Sequence, residues 1–169
     1  MTRPRCVLVG PPGSGKSSVG LALAELLRLE FRDTDSDIEQ LAGKPIPEIF
    51  FDDGEEHFRA LEREAVTSAL RSFDGVLALG GGAVLAESTR AALAGHTVVF
   101  LSVELADAVQ RVGLGQGRPL LALNPRATLR HQLDQRRPLY QQVASATVVT
   151  DGRDVPEIAL EIAAILRSG

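Results

Sequence analysis

The segment "GPPGSGKS", Gly10 to Ser17, constrains this chain more than any other part of it. It fits the pattern G-x-x-x-x-G-K-[ST], follows the short apolar run "RCVLVG" at 5–10, and leads into a helical period near Lys16. Strand, glycine loop and helix in that order build a phosphate cradle. Gly13 and Gly15 let backbone N–H groups face an anion, and the helix N-terminus adds partial positive charge. Lys16 supplies a point charge for β and γ phosphates, and the Ser17 hydroxyl is of the kind that ligates Mg²⁺. The expected ligand is a nucleoside triphosphate, with Gly13, Ser14, Gly15, Lys16, Ser17 and Ser18 as its contact set.

The rest of the chain alternates in a way that suits such a loop. "VLALG" (76–80), "TVVFLS" (97–102) and "ATVVT" (146–150) read, with 5–10, as buried parallel strands, and "LEFRD" (29–33) as a weaker fifth. Helices are predicted at 16–28, 37–42, 54–72, 86–94, 103–111, 126–142 and 155–167. This alternation implies an α/β fold in three layers, a five-stranded parallel sheet with helices on both faces. In sheets of this kind ligands gather beyond the carboxyl ends of the strands, so the residues after each strand are where chemistry is expected. At 169 residues, 44% of them apolar, one domain spanning 1–169 is expected.

Several classes of function are disfavoured. Cys6 is the only cysteine, which precludes an intramolecular disulfide and a cysteine zinc cluster, and His57, His96 and His131 lack metal-ligand spacing. The run Cys6 to Val9 is too short for a signal peptide, and no 18-residue apolar run follows, so a cytoplasmic protein without a membrane partner is expected. A net charge of −4, no Trp and one Tyr argue against nucleic-acid binding. A GTP-driven switch would carry D-x-x-G and N-K-x-D elements. No glycine here has an Asp three residues earlier, and the sole asparagine, Asn124, sits in "NPRA".

A transferase would need an acceptor pocket, a group that positions the acceptor hydroxyl and a cationic lid that excludes water, and the chain offers candidates for these. Between Arg111 and Arg137 there are six arginines and one acid, Asp134, so an anion is expected to visit this segment. Within it "GLGQGRPLL" (113–121) has the composition of a flap carrying Arg118, and a plain surface loop is the alternative. A second candidate segment is "RDTDSDIEQ" (32–40), with carboxylates at Asp33, Asp35 and Asp37. Ser36 and Glu39 fit an S-x-x-E capping box, which predicts Asp37 as the first helical residue and leaves Asp33 and Asp35 on one side of the chain.

The ordered set "GPPGSGKSS", "DTD" (33–35), "AGKPIPEIF" (42–50), "DGEEHFRALE" (53–62), "LGGGAV" (79–84), "GRPLL" (117–121) and "RRPLY" (136–140) resembles shikimate kinase over residues 5 to about 155. That resemblance implies a P-loop fold related to nucleoside-monophosphate kinases, with a substrate-binding region at about 35–62 and a mobile lid at about 112–125. It implies transfer of phosphate from ATP, with Mg²⁺, to the 3-hydroxyl of shikimate, by a monomer. A kinase of similar fold acting on gluconate or a nucleoside monophosphate is the alternative.

By the same resemblance, Asp35 grips the acceptor hydroxyl and Asp33 stands near Mg²⁺, holding it through water beside Ser17. Arg59 and Arg136 match the carboxylate-binding arginines, Gly81 in Gly80–Gly82 matches a substrate contact, and Phe50 and Phe58 wall the pocket. Lys16 and Arg118 neutralise the transferring phosphates, and Arg153 in "DGRDVP" matches, more loosely, a position against adenine. The residues alone leave other readings open. Arg59 is spaced to pair with Glu55 or Glu62, Phe58 lies on the apolar helix face with Leu61, Ala65 and Ala69, and the glycine triplet is also a flexible turn. Ser18, Pro45 and the stretch from Leu121 to Arg136 depart from the family pattern.

Overall fold

A computed structural model describes residues 3–104 and 125–168. In chain order the elements are β1 (Cys6–Val9), α1 (Lys16–Leu27), β2 (Phe31–Asp33), α2 (Thr34–Ala42), α3 (Ile46–Ser72), β3 (Val76–Ala78), a 3₁₀ turn (Ala83–Leu85), α4 (Glu87–Leu93), β4 (Val98–Ser102), α5 (Pro125–Val143), β5 (Ala146–Val149) and α6 (Val155–Ser168). The strands form one parallel sheet in the order β2-β3-β1-β4-β5, with Val7 opposite both Leu77 and Val98. The expected five-stranded α/β architecture is therefore observed. The helix expected at 103–111 and the lid expected at 112–125, Arg118 included, fall outside the described residues except at their ends.

Period-two alternation along β1 divides the core. Cys6 and Leu8 pack with Val19 and Leu23 of α1 and Ile158 and Ile162 of α6. Val7 and Val9 pack on the opposite face with Val66 and Leu70 of α3, Leu77, Phe100 and Tyr140. A strand covered on both faces has to be apolar at every position, which is why "CVLV" shows no polar alternation. Burial in this core pushes the Cys6 thiol up to about 12, so the lone cysteine is a packing residue and not a nucleophile. β1 lies at the centre of the sheet between β3 and β4, and the chain runs from it out to the edge at β2, returns through β3, and crosses to β4 on the other side. The crevice opens above such a point, and the glycine loop sits there.

A third apolar cluster, Ile38, Ile49, Phe58 and Ala65, joins α2 to α3 apart from the other two. Here the structure departs from the sequence expectation in two places. Helix α3 begins at Ile46 and not at residue 54, and it is broken at Gly54, whose φ of 87° and ψ of 167° are not helical. Pro47 stands in its first turn, where a missing N–H costs nothing, and Lys44 clamps Asp52 (3.1 Å) and Asp53 (2.8 Å) against the added segment.

Helix α2 begins at Thr34, three residues before Asp37. Its N-cap is Asp33, whose Oδ1 accepts the Asp35 N–H at 2.9 Å. Ser36 and Glu39 therefore form no capping box. Glu39 accepts the Ile46 N–H at 2.9 Å, at the start of the next helix, and Asp37 pairs with Arg32 at 2.8 Å. A contact from outside the segment fixes the earlier start, since the Gly80 N–H donates to Thr34 Oγ1 at 3.3 Å. The carboxylates of Asp35 and Asp37 both lie in the first turn, where the helix dipole favours them.

Candidate active site

The phosphate loop takes the shape its glycines permit. Gly13 and Gly15 have φ of 82° and 90°, and Gly15 caps α1, so the N-terminal end of the helix, with its partial positive charge, opens on the crevice. Lys16 curls back over the loop and donates from Nζ to the carbonyls of Gly10 (2.7 Å) and Pro11 (3.0 Å). These bonds hold the ammonium over the cradle. Ser14 is buried in the loop and its Oγ has no hydrogen-bond partner. A cleft of about 440 Å³ runs from residues 12–19 past Asp33 and Asp35 to Gly80 and Gly81, with Arg153, Val155 and Ile158 along it. Every loop residue expected to touch a nucleotide lines this one cleft.

Ser17 and Asp33 meet at the same place, Ser17 Oγ donating to Asp33 Oδ2 at 3.3 Å. Two hard oxygen donors beside a phosphate cradle suit Mg²⁺, which takes one or two protein oxygens and completes its shell with phosphates and water. Among the described residues there is no group of three or more acidic, His or Cys side chains placed to hold a metal.

Beyond Asp33 the glycine triplet lies among charged side chains, and each glycine is bare for a separate reason. A Cβ on Gly80 would stand 2.7 Å from Asp35 Oδ1 and 3.1 Å from Glu62 Oε2. On Gly81 it would meet Pro12 of the phosphate loop at 3.0 Å, and on Gly82 the Arg59 guanidinium carbon at 2.8 Å. Asp35, Glu62, Arg59 and the phosphate loop are thus packed around three residues of backbone. The two helix pairings open for Arg59 are both made, with Glu62 at 2.9 Å and Glu55 at 3.4 Å, and the guanidinium also lies over the Phe58 ring, 5.2 Å from its centroid. Pairing and function are compatible here, because these contacts hold Arg59 against Gly82.

Arg136 is 5% exposed and its Nε has no hydrogen-bond partner. Burial pulls the guanidinium below its ordinary range; the Tyr140 hydroxyl opposes this and the Arg59 cation adds to it. Glu62, 3% exposed, is pushed up by burial against the opposing pull of Arg59. A buried arginine with an unmet donor, standing near a second arginine, is arranged to receive an anion.

Tyr140, one turn after Arg136, donates its hydroxyl to the Gly81 carbonyl at 2.6 Å, and burial raises its phenol to about 12. The phenol is therefore protonated, and a donor, at any working pH. Because the folded value lies above the unfolded value of about 10, this group supports folding fully below pH ~10 and loses that support as the pH rises toward the folded value. Tyr140 is the only tyrosine in the chain, so phenolate absorbance during an alkaline titration reports it alone. The folded protein should stay flat through the ordinary tyrosine transition, and a normal transition in folded protein would contradict the burial described.

The remaining expected residues divide. Arg153 lines the cleft, held by the Val149 carbonyl (2.8 Å), Glu157 (3.2 Å) and Glu161 (2.6 Å). Phe50 and Phe58 do not line it. Their rings pack tilted at 33° with centroids 4.7 Å apart, and Phe58 is buried in the α2–α3 cluster, as the apolar helix face predicts. Glu62 and Tyr140 also lie at the glycine triplet, against Gly80 and Gly81. The sequence carried a signal for both, spacings of three from Arg59 and four from Arg136, but spacing alone does not distinguish a buried partner from a solvated one.

The sequence model described as shikimate kinase matches residues 12–167. The chain belongs to the shikimate kinase family. The shikimate kinase of Salinispora arenicola is 75% identical over 163 residues, covering 96% of this chain and 98% of that one. That of Thermobifida fusca is 57% identical over 163 residues, with 96% and 94% covered. Among solved structures, shikimate kinase from Acinetobacter baumannii in complex with shikimate superposes with a TM-score of 0.94 at 38% identity, covering 99% of this chain and 94% of that one. A gluconokinase from Sinorhizobium meliloti reaches 0.60 at 25% identity, with 96% and 91% covered. The fold is thus shared with a sugar-acid kinase, but the much closer agreement lies with shikimate kinases.

Proposed function

We propose that this protein transfers the γ-phosphoryl group of ATP to the 3-hydroxyl of shikimate, giving shikimate 3-phosphate and ADP. The observation that carries this reading is the junction at Gly80–Gly82. There the phosphate cradle, the Asp35 carboxylate and Arg59 converge, with Arg136 one helical turn before the Tyr140 that holds Gly81, as a phosphoryl donor and a small carboxylate-bearing alcohol require. Arg59 and Arg136 take the acceptor carboxylate, the planar guanidinium being suited to paired contacts with it, and the bare backbone of Gly81 lies against the ring.

Asp35 orients the acceptor hydroxyl and accepts its proton. The hydroxyl oxygen then bonds to the γ-phosphorus as the bond to the β–γ bridging oxygen breaks, and that oxygen departs with its electron pair on ADP. Lys16, the loop amides of residues 13–18 and, by its match in sequence, Arg118 balance the charge on the phosphates. Ser17 and, through water, Asp33 would hold Mg²⁺, which when bound neutralises phosphate oxygens. Arg153 belongs to the nucleotide side on account of its place along the cleft. The rate enhancement arises from positioning and electrostatics, and no covalent enzyme intermediate is needed.

A single-domain monomer in the cytoplasm, acting without nucleic acid or membrane, is part of the same reading. It is supported by the net charge of −4 and, among the described residues, by the lack of a helix long and apolar enough to cross a membrane. A coupled assay of ADP release should give signal with shikimate and far less with quinate, gluconate or nucleoside monophosphates. Silence with shikimate would overturn the proposal, and a stronger response to gluconate would favour a sugar-acid kinase.

A further inference from the structure

Tyr140 makes a contact that phosphoryl transfer itself does not call for. Its O–H donates to the carbonyl of Gly81, its ring stacks on Phe100 of the central sheet at 5.0 Å, and it follows Arg136 by one turn of α5. Four residues apart on a helix, the two side chains share a face. A peptide unit is planar, so a held Gly81 carbonyl also fixes the direction of the Gly82 N–H. Gly82 is the residue against which the Arg59 guanidinium rests, and Gly81 abuts Pro12 of the phosphate loop. One phenol hydroxyl therefore ties together α5, the peptide between Gly81 and Gly82, and through it the seat of Arg59.

We propose that Tyr140 is a positioning residue for the acceptor: by holding the Gly81 carbonyl it sets the spacing of Arg136, Gly81 and Arg59, and so governs affinity for the carboxylate-bearing substrate without governing affinity for ATP. The inference rests on the acceptor site proposed above, in which these three residues take shikimate. Tyr140 touches no substrate in this account. It acts through backbone and through its neighbour on the helix.

The test is a split between the two substrates. Tyr140→Phe keeps the ring and its stacking but removes both the donor to the Gly81 carbonyl and the oxygen that Arg136 pairs with, and the KM for shikimate should rise about tenfold while that for ATP stays within about twofold. Phe100→Leu disturbs the stack and keeps the hydroxyl. It should lower the melting temperature with shikimate KM little changed, whereas a purely packing role for Tyr140 would make the two variants alike. With no Trp and one Tyr in the chain, intrinsic emission of the unaltered protein reports Tyr140 alone. That emission should change saturably as shikimate is added without nucleotide, a readout that holds even if Tyr140→Phe does not fold.

Equal KM changes for both substrates, no change for shikimate, or emission indifferent to shikimate would each overturn the proposal. Arg136→Met in the same series separates the two readings. If it leaves shikimate KM unchanged, the acceptor site itself is misassigned. If it raises that KM while Tyr140→Phe does not, the site stands and only the role of Tyr140 falls.

Discussion

Replacing Asp35 by asparagine should lower turnover by about 10²–10⁴-fold while ATP binds as before. The substitution is nearly isosteric and the fold should absorb it. Helix α2 is capped by Asp33 through the backbone N–H of residue 35, which asparagine retains. The amide still offers an oxygen to an acceptor hydroxyl, so orientation is partly kept, but it cannot take the proton. Loss of the charge also acts on Glu62, whose carboxyl Asp35 helps to push up, and Glu62 should ionise more readily in the variant. Single-turnover kinetics beside calorimetric ATP binding would separate the two effects. Turnover near that of the parent would remove Asp35 from the chemistry.

Arg136→Met is expected to weaken shikimate binding by about a hundredfold or more, in line with the ~3 kcal/mol typical of truncating a buried charge partner. ATP affinity should hold, because Arg136 lies outside the nucleotide cleft. The same variant should not lower the melting temperature of the ligand-free protein. A guanidinium that is 5% exposed with an unpartnered Nε is a burden on the folded state until an anion arrives, and methionine fills similar volume without it. A large loss of stability would show that Arg136 is a structural ion-pair member. Unchanged shikimate binding would show that it is not part of the acceptor site.

The sheet was easily read from sequence where strands are buried on both faces. Runs such as "CVLV" and "VVFLS" have no other use for so many branched apolar residues in so short a span. The edge strand β2 was faint because it is three half-buried residues pairing only with β3. The phosphate loop was equally plain, since its function is carried by backbone geometry that only a fixed glycine spacing allows. The start of α2 was misplaced for a different reason. Ser36 and Glu39 make a sound local motif, but Thr34 and Glu39 are engaged by Gly80 and Ile46, and contacts across 46 and seven residues are invisible to a four-residue pattern.

Glu62 and Tyr140 illustrate the same limit within the site. A glutamate three residues from an arginine and a tyrosine four residues from another are ordinary helix neighbours by sequence. They become parts of a site only because the glycine triplet passes between α3 and α5, which long-range packing decides. Phe58 went the other way. Its helical period places it in the core, where it is found, and the Arg59 guanidinium lies over its ring.

The glycine triplet has a thermodynamic side as well. Three adjacent residues without side chains enlarge the ensemble of unfolded conformations, and substitution by alanine at a tolerant site would ordinarily return about 0.4–1 kcal/mol each by shrinking it. At 80, 81 and 82 that gain is opposed, because an added Cβ would push the Asp35 carboxylate or the Arg59 guanidinium from its place, or press on Pro12 at 3.0 Å. The bare backbone at the heart of the site thus carries a standing cost to stability of about 1–3 kcal/mol, set against a typical reserve of about 5–15 kcal/mol. Attempts to harden this enzyme by removing glycines would have to leave these three in place.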